Sequence, residues 1–501
     1  MTISSIGGKP AAAIQSLVNL RNTLDDLQRQ LSTGKKSTTY AGLGLDRGVT
    51  VSLRAQISAM SSFDATIDNV NTRINVAQTA LSRISDIGAS VKTSMSQGTF
   101  GSSAAAINTA QTAAQLSLDE TLNLLNTRAG DRYLFSGNAT DQPAVESYDH
   151  IVNGNGVQAG LKQFISERNQ ADLGASGLGR LDITSPTATS VSVAEDAVSP
   201  FGFKLASVNS TLTNAIVTGP AGVPQALSVD LSGGNPIAGE SITLRFDLPD
   251  GTSENLTLTA TTASPPGANQ FTIGADPTAT TANLQTALTT SIGKLAATAL
   301  TAASANQASS EFFAADANNP PMRVDGPPFD SATAMIAGSS ADTVIWYTGD
   351  AGGGSARATA SARVDPSLSV NYGVRANEDG LRSIVQNVAT LAAITISPSD
   401  PNAVELSLAL NQRLTANLNG SPGDQKISNI QTDLASAQVT ISAAKTRHQQ
   451  QNAALSDYLQ QIEGVSNEEV GAQILTLQTR LQASMQVTSM LYQTSLVNYM
   501  P

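Results

Sequence analysis

Cysteine is absent from this chain of 501 residues, which excludes disulfides, thiolate catalysis and cysteine-ligated zinc together. Histidine is nearly as scarce, and His150 and His448 alone are too few for a histidine-built metal site. Aromatic residues make up 4% of the sequence, with Trp346 the single tryptophan, a thin supply for the deep, well-packed pockets of most enzymes. Charged residues are 14%, and a net charge of -12 with no basic cluster argues against a nucleic-acid groove. No window approaches the roughly 18 consecutive apolar residues of a membrane span. The opening MTISSIGGKPAAAIQSLVNL also lacks the basic segment and sustained apolar run of a cleaved secretory signal.

What the chain does have is apolar residues at spacings of three and four. Leu17, Leu20, Leu24, Leu27 and Leu31 form one seam. A second runs through Leu53, Ile57, Met60, Phe63, Ile67, Val70, Ile74, Ala77, Leu81, Ile84, Val91 and Met95, with Ile87 bridging a slight break near Gly88. Sustained alternation over this length predicts a long coiled-coil-like helix. A third stretch, Ile107, Ala110, Ala114, Leu118, Leu122 and Leu125, reads as a helix that stops at Ala129-Gly130, with glycine as its C-cap. Late in the chain Ile427, Ile430, Leu434, Ala437, Ile441, Ala444, His448, Gln451, Leu455, Tyr458 and Ile462 predict another rod. Ser466 and Glu469 then form an S-x-x-E capping box that opens a last helix.

The middle has another texture. ITLRFDL places Ile242, Leu244, Phe246 and Leu248 on one face, and with the turn PDG and the partner LTLTA it predicts a β-hairpin. TTANLQTALTTSIGKLAATAL reads as one internal helix, and Gly-Pro punctuation cuts the rest into short pieces. The expected fold is mainly α with an inserted β-rich region: a long coiled-coil-like bundle made from both chain ends, plus one or two small β-containing outer domains. Its parts are a first arm (1–45), long rod helices (46–131), the insert (132–375), returning rod helices (376–463) and a last assembly helix (464–501).

Candidate chemistry is sparse. The glycines of GLGLDRG (42–48) do not have nucleotide-loop spacing, and GDAGGGSAR (349–357) lacks the Gly-Lys-Ser/Thr of a phosphate cradle. His448 sits on a helix seam and reads as hydrogen-bonded to a neighbouring helix, while His150 follows Asp149 in a loop. Asp25-Asp26 and Glu468-Glu469 belong to helix faces and first turns. No catalytic residue, metal ligand or cofactor site is assigned.

The unusual feature lies at the two ends. After Arg480 no charged residue occurs, yet Gln, Ser, Thr and Asn dilute the apolar residues throughout. The last helix carries two stripes: Ile474, Leu477, Leu481, Met485, Tyr492 and Leu496 on one side, and Val487, Met490, Leu491 and Val497 on another. Pairing the two arms covers one stripe of each. Ordering backbone costs about 1 to 2 kcal/mol per residue, so the uncovered stripes predict arms that are disordered alone and fold on assembly.

Four segments then carry a family resemblance. QLSTGKK (30–36), RAGDRYLFSGNATDQPAV (128–145), NYGVRANEDGLRSIV (371–385) and the L-Q-x-x-L-Q-A-S of residues 477–484 resemble the bacterial flagellins and the related hook-filament junction proteins. The likeness covers about the first 145 and last 130 residues; the loop STTYAGLGLDRGV departs from the family's A-x-D-D-P-A-G pattern. It implies a structural subunit that is exported through the flagellar type III apparatus without a cleaved signal, served by an export chaperone. Its partners would be copies of itself and other flagellar axial proteins, outside the cell. A secreted adhesin or glycan-binding protein on a helical stalk is the alternative, and an enzyme hidden in the insert is a third.

Overall fold

The computed structural model describes residues 8–96 and 103–497. Helices α1 (Gly8–Thr33), α2 (Arg47–Ser96) and α3 (Ala104–Leu125) lead into a small ribbon, β1 (Arg128–Ala129) with β2 (Arg132–Tyr133). Helices α4 (Tyr148–Asn153) and α5 (Leu161–Leu173) follow. The strands come next: β3 (Leu181–Thr187), β4 (Ser190–Glu195), β5 (Lys204–Ser210), β6 (Ile216–Ala221), β7 (Ala226–Asp230), β8 (Ser241–Asp247), β9 (Ser253–Thr261) and β10 (Gln270–Thr272). After α6 (Pro277–Leu295) and α7 (Thr301–Ala314) come two more ribbons, β11 (Met322–Val324) with β12 (Met335–Ala337), and β13 (Ser361–Asp365) with β14 (Leu368–Asn371). Four helices finish the described chain: α8 (Asp379–Ala393), α9 (Ala403–Asn419), α10 (Ile427–Glu463) and α11 (Asn467–Val497). The protein is thus mixed α plus β, with its strands in several small sheets.

Contacts divide the chain into two compact units. The first holds residues through Asn69, Arg363–Val370 and the chain from Val439; the second holds Val70–Ala362 and Asn371–Gln438. Both boundaries near 70 and 439 fall inside continuous helices, α2 and α10, where the apolar seam runs unbroken and periodicity gives no sign of a division.

In the second unit two four-stranded sheets, ordered β3-β4-β7-β6 and β10-β9-β8-β5, share one core with α6. The expected hairpin is present as β8 and β9, with Ile242 opposite Leu258 and Leu244 opposite Leu256, all buried. Its turn closes through Leu248 N–H to Thr252 O at 2.8 Å, and Gly251 takes φ +77°, a left-handed value that suits glycine. The expected internal helix is longer than its sequence pattern: α6 passes through a wide turn at Ala296–Leu300 directly into α7. Beyond it Phe164, Phe312, Phe313, Trp346 and Tyr347 form a chain of ring contacts with centroids 5.2 to 6.0 Å apart.

The long seams are where periodicity places them, with two corrections. Ile67, Ile74, Leu81 and Ile84 of α2, and Ile107, Leu118 and Leu125 of α3, are buried. However, α3 ends at Leu125 rather than at Gly130. Asn126 stops it, because its Oδ1 accepts from Ala144 N and Val145 N at 2.8 and 3.0 Å, and Gly130 (φ +68°) instead turns the β1-β2 ribbon. In α10, Gln451 and Tyr458 are exposed; after His448 the half-buried positions are Asn452, Leu455, Leu459 and Ile462. Two successive steps of four, 444 to 448 to 452, shift the phase there. A hydrophobicity reading cannot see this stutter, because Gln451 and Asn452 are both polar while Tyr458 and Leu459 are both apolar.

Candidate functional site

Within the first unit, α1 and α11 pack on each other. On α1, Leu17, Leu20 and Leu24 are half-buried and Leu27 is 8% exposed, while Leu31, two residues from the helix end, is 42% exposed. On α11 the inner stripe is Val470, Ile474, Leu477 and Leu481, continuing through Ser484 and Thr488. Met485 is not part of it, being 51% exposed. Met485 is the apolar residue at this turn, but helical geometry at 3.6 residues per turn keeps Ser484 in line. Leu491, Tyr492 and Leu496 fall where side chains lie outside the described residues.

Other faces of the same helices stay apolar and open. Ile14 and Val18 of α1 and Leu475, Val487 and Met490 of α11 are all exposed. On α11 the last three lie across the helix from the Ile474-Leu477-Leu481 stripe. Of the second stripe expected from sequence, Val487 and Met490 are uncovered, while the side chains of Leu491 and Val497 lie outside the described residues.

A junction fixes where the two arms start. Gly34 (φ +67°) ends α1 by returning its N–H to Gln30 O at 2.7 Å. Lys36 N–H then donates to Glu463 O at 2.7 Å, Val465 N–H donates to Gly34 O at 3.2 Å, and Lys35 bridges Gly464 antiparallel. A side chain at Gly464 would sit 2.4 Å from Gln460 O, so the close approach needs glycine. The Glu463 carboxylate, almost wholly buried, takes Arg54 bidentately and has Lys35 Nζ at 3.8 Å. The hydrogen bond to Glu463, more than any other influence, raises the Arg54 guanidinium above its ordinary value. Neither Arg54 nor Glu463 was singled out from sequence, and 409 residues between them leave no local pattern to find.

The capping box is half made. Ser466 Oγ accepts from Glu469 N–H at 3.3 Å, but it donates to Glu468 Oε2 at 2.7 Å, and Glu469 instead accepts from Gln473. The Ser466 hydroxyl holds the Glu468 carboxyl below the usual carboxylate range.

The glycine loops are structural. GLGLDRG lies in and just after a 3-10 turn, Tyr40–Asp46. In GDAGGGSAR the carbonyls of Gly352 and Gly354 accept from Arg375 Nη1 at 2.5 and 3.1 Å, and Gly352 N–H donates to Asp350 Oδ1 at 2.9 Å, so the loop's polar groups are taken up by its own and neighbouring side chains. Buried charges of the second unit are paired: Arg168 with Asp172 and Glu311, Arg323 with Glu167, and Arg413 with Asp250. Burial pushes the Asp172 carboxyl up, against the pull of Arg168. Among the described residues no His/Cys/Asp/Glu group is arranged to hold a metal ion, and no helix is long and apolar enough to cross a membrane. Compared with known proteins, the chain matches no protein-family model, and no curated protein matches it significantly.

Proposed function

We propose that this chain is a self-assembling structural subunit of the bacterial flagellum, either the flagellin of the filament or the hook-filament junction protein, and that it supports motility. The observation that carries the proposal is the pairing of α1 with α11 through one stripe while Ile14, Val18, Leu475, Val487 and Met490 remain uncovered. Each such side chain gains about 1.5 to 3 kcal/mol when fully buried. Neighbouring copies of the same two helices offer matching stripes. The neutral Gln, Ser and Thr between them suit burial between helices, where amides and hydroxyls find partners.

In this reading helices from both chain ends make a long coiled-coil-like bundle, and the inserted β-rich region forms the outer part. The subunit leaves the cell through the flagellar type III apparatus, with an export chaperone covering its arms beforehand. Its lasting partners are copies of itself and other axial proteins. It performs no catalysis. The test is to add purified protein to flagellar filament seeds: elongation identifies a filament subunit, capping without elongation a junction protein, and absence of any binding contradicts both.

A further inference from the structure

Both ring nitrogens of one buried histidine face carboxylates. His448, on α10, is 1% exposed. Its Nδ1 lies 2.8 Å from Asp64 Oδ1 of α2, and its Nε2 lies 3.7 Å from Asp365 Oδ2 at the end of β13. The Phe63 ring stands 6.0 Å away, centroid to centroid. Asp365 is held in turn by Arg447 Nη2 at 3.2 Å and by Ser367 N–H at 3.4 Å. All these residues belong to the first unit, with residues 363–370 as the tip of the β13-β14 ribbon.

The chemistry of the ring makes this arrangement depend on a proton. A neutral imidazole has one N–H, so it turns a lone pair towards one of the two carboxylates; the imidazolium turns an N–H to each, hydrogen-bonded to Asp64 at 2.8 Å and at ion-pair distance, 3.7 Å, from Asp365. The charged groups facing the site are Asp64 and Asp68 from α2, Asp365 from the ribbon tip, and Lys445 and Arg447 from α10, with Lys445 paired to Asp68. A protonated ring balances three carboxylates with three cations, and a neutral ring leaves one carboxylate in excess. The ring itself is buried, while Asp64 and Asp365 keep 23% and 21% of their side chains exposed. The stutter in α10 falls at this residue, so the ring occupies a seam position between the two phases of the helix.

We propose that His448 is a proton-controlled clasp that holds the 363–370 ribbon tip against α2 and α10, closed when the ring is protonated and loosened when it is neutral. Arg447, above all, keeps the Asp365 carboxyl below the usual range. The clasp is independent of the assembly reading.

Native-state hydrogen exchange of the full chain tests it, comparing amides 363–370 at about pH 5.5 and about pH 8, the span over which imidazoles ordinarily titrate. After correction for intrinsic exchange, wild-type protection at the tip should fall several-fold at the higher pH while amides of α6 and α7 do not change. His448→Gln should remove that difference, and Asp365→Asn should do the same. A tip whose protection does not respond to pH, or responds equally in His448→Gln, overturns the proposal. Should the variants fold poorly, the wild-type ring resonances decide: His448 must titrate together with the loss of tip protection, and titration without it contradicts the clasp.

Discussion

Arg54 holds Glu463 by both carboxylate oxygens, Nη2 to Oε2 at 2.6 Å and Nε to Oε1 at 3.0 Å, across the point where α1 gives way to α2 and α10 to α11. Glu463 is nearly buried while Arg54 keeps 42% of its side chain exposed, so removal of the guanidinium takes the hydrogen-bonded partner from a buried carboxylate and leaves it facing Lys35 Nζ at 3.8 Å. Arg54→Ala should therefore cost about 1 to 3 kcal/mol, towards the low end because solvent screens the arginine. Thermal melts with limited proteolysis read it: cleavage at residues 34–40 should accelerate before the second unit loosens.

Trp346 reports on the second unit alone. It is fully buried, and its Nε1–H donates to Phe313 O at 3.0 Å. Trp346→Ala should destabilise that unit by about 3 to 5 kcal/mol, as other aromatic deletions from cores do. Urea unfolding followed by circular dichroism measures it, and a loss below about 1 kcal/mol would show that the ring chain carries little of the packing.

The glycine loop at 349–354 should loosen in acid. Gly352 N–H first, and the Arg375 guanidinium to a lesser degree, hold the Asp350 carboxyl below its ordinary value. A depressed carboxyl contributes its stability in full above the unfolded value of about 4 and loses it as pH falls through the lower folded value. Exchange protection in the loop should drop below about pH 4, and Asp350→Asn should flatten that drop. A loop equally protected at low pH would rule out this contribution.

Removal of residues 478–501 should leave Trp346 fluorescence and the second unit's melt unchanged, because α11 belongs to the first unit while the core of two sheets and α6 is built from residues of the second. The same truncation should abolish self-association. A truncated chain that still polymerises would move the association surface away from α11.

The sequence made the regular parts of this structure legible and concealed its irregular ones. Period two with PDG is enough for the β8-β9 hairpin, since Ile242, Leu244 and Phe246 can share a buried face in one register only. The seam of α2 is legible for the same kind of reason, as apolar residues recur along its buried face. Elsewhere the residue types did not mark the buried face. In α10 the polar Asn452 sits inward beside an equally polar Gln451, and the apolar pair Tyr458-Leu459 fits either phase, so the stutter left no trace. In α11 Ser484 and Thr488 hid the inner stripe. Gly130 looks like a helix cap in the sequence because nothing local reveals that Asn126 binds Ala144 and Val145. His448 was legible as a seam residue bonded to a neighbouring helix, but its second carboxylate, Asp365, lies on a ribbon far away in sequence. The Arg54–Glu463 pair had no sequence signal at all.

The central claim is that the uncovered stripe of α11 drives association while the inner stripe pairs it with α1. The most direct measurement is sedimentation of the full chain over rising concentration, for wild type, Leu477→Asp and the double variant Val487→Gln with Met490→Gln. Wild type should form large assemblies. Leu477→Asp should lose them together with the helicity of α1 and α11, whereas the double variant should lose them with helicity intact. A double variant that assembles like wild type, or a wild type that stays monomeric at high concentration, would contradict the account.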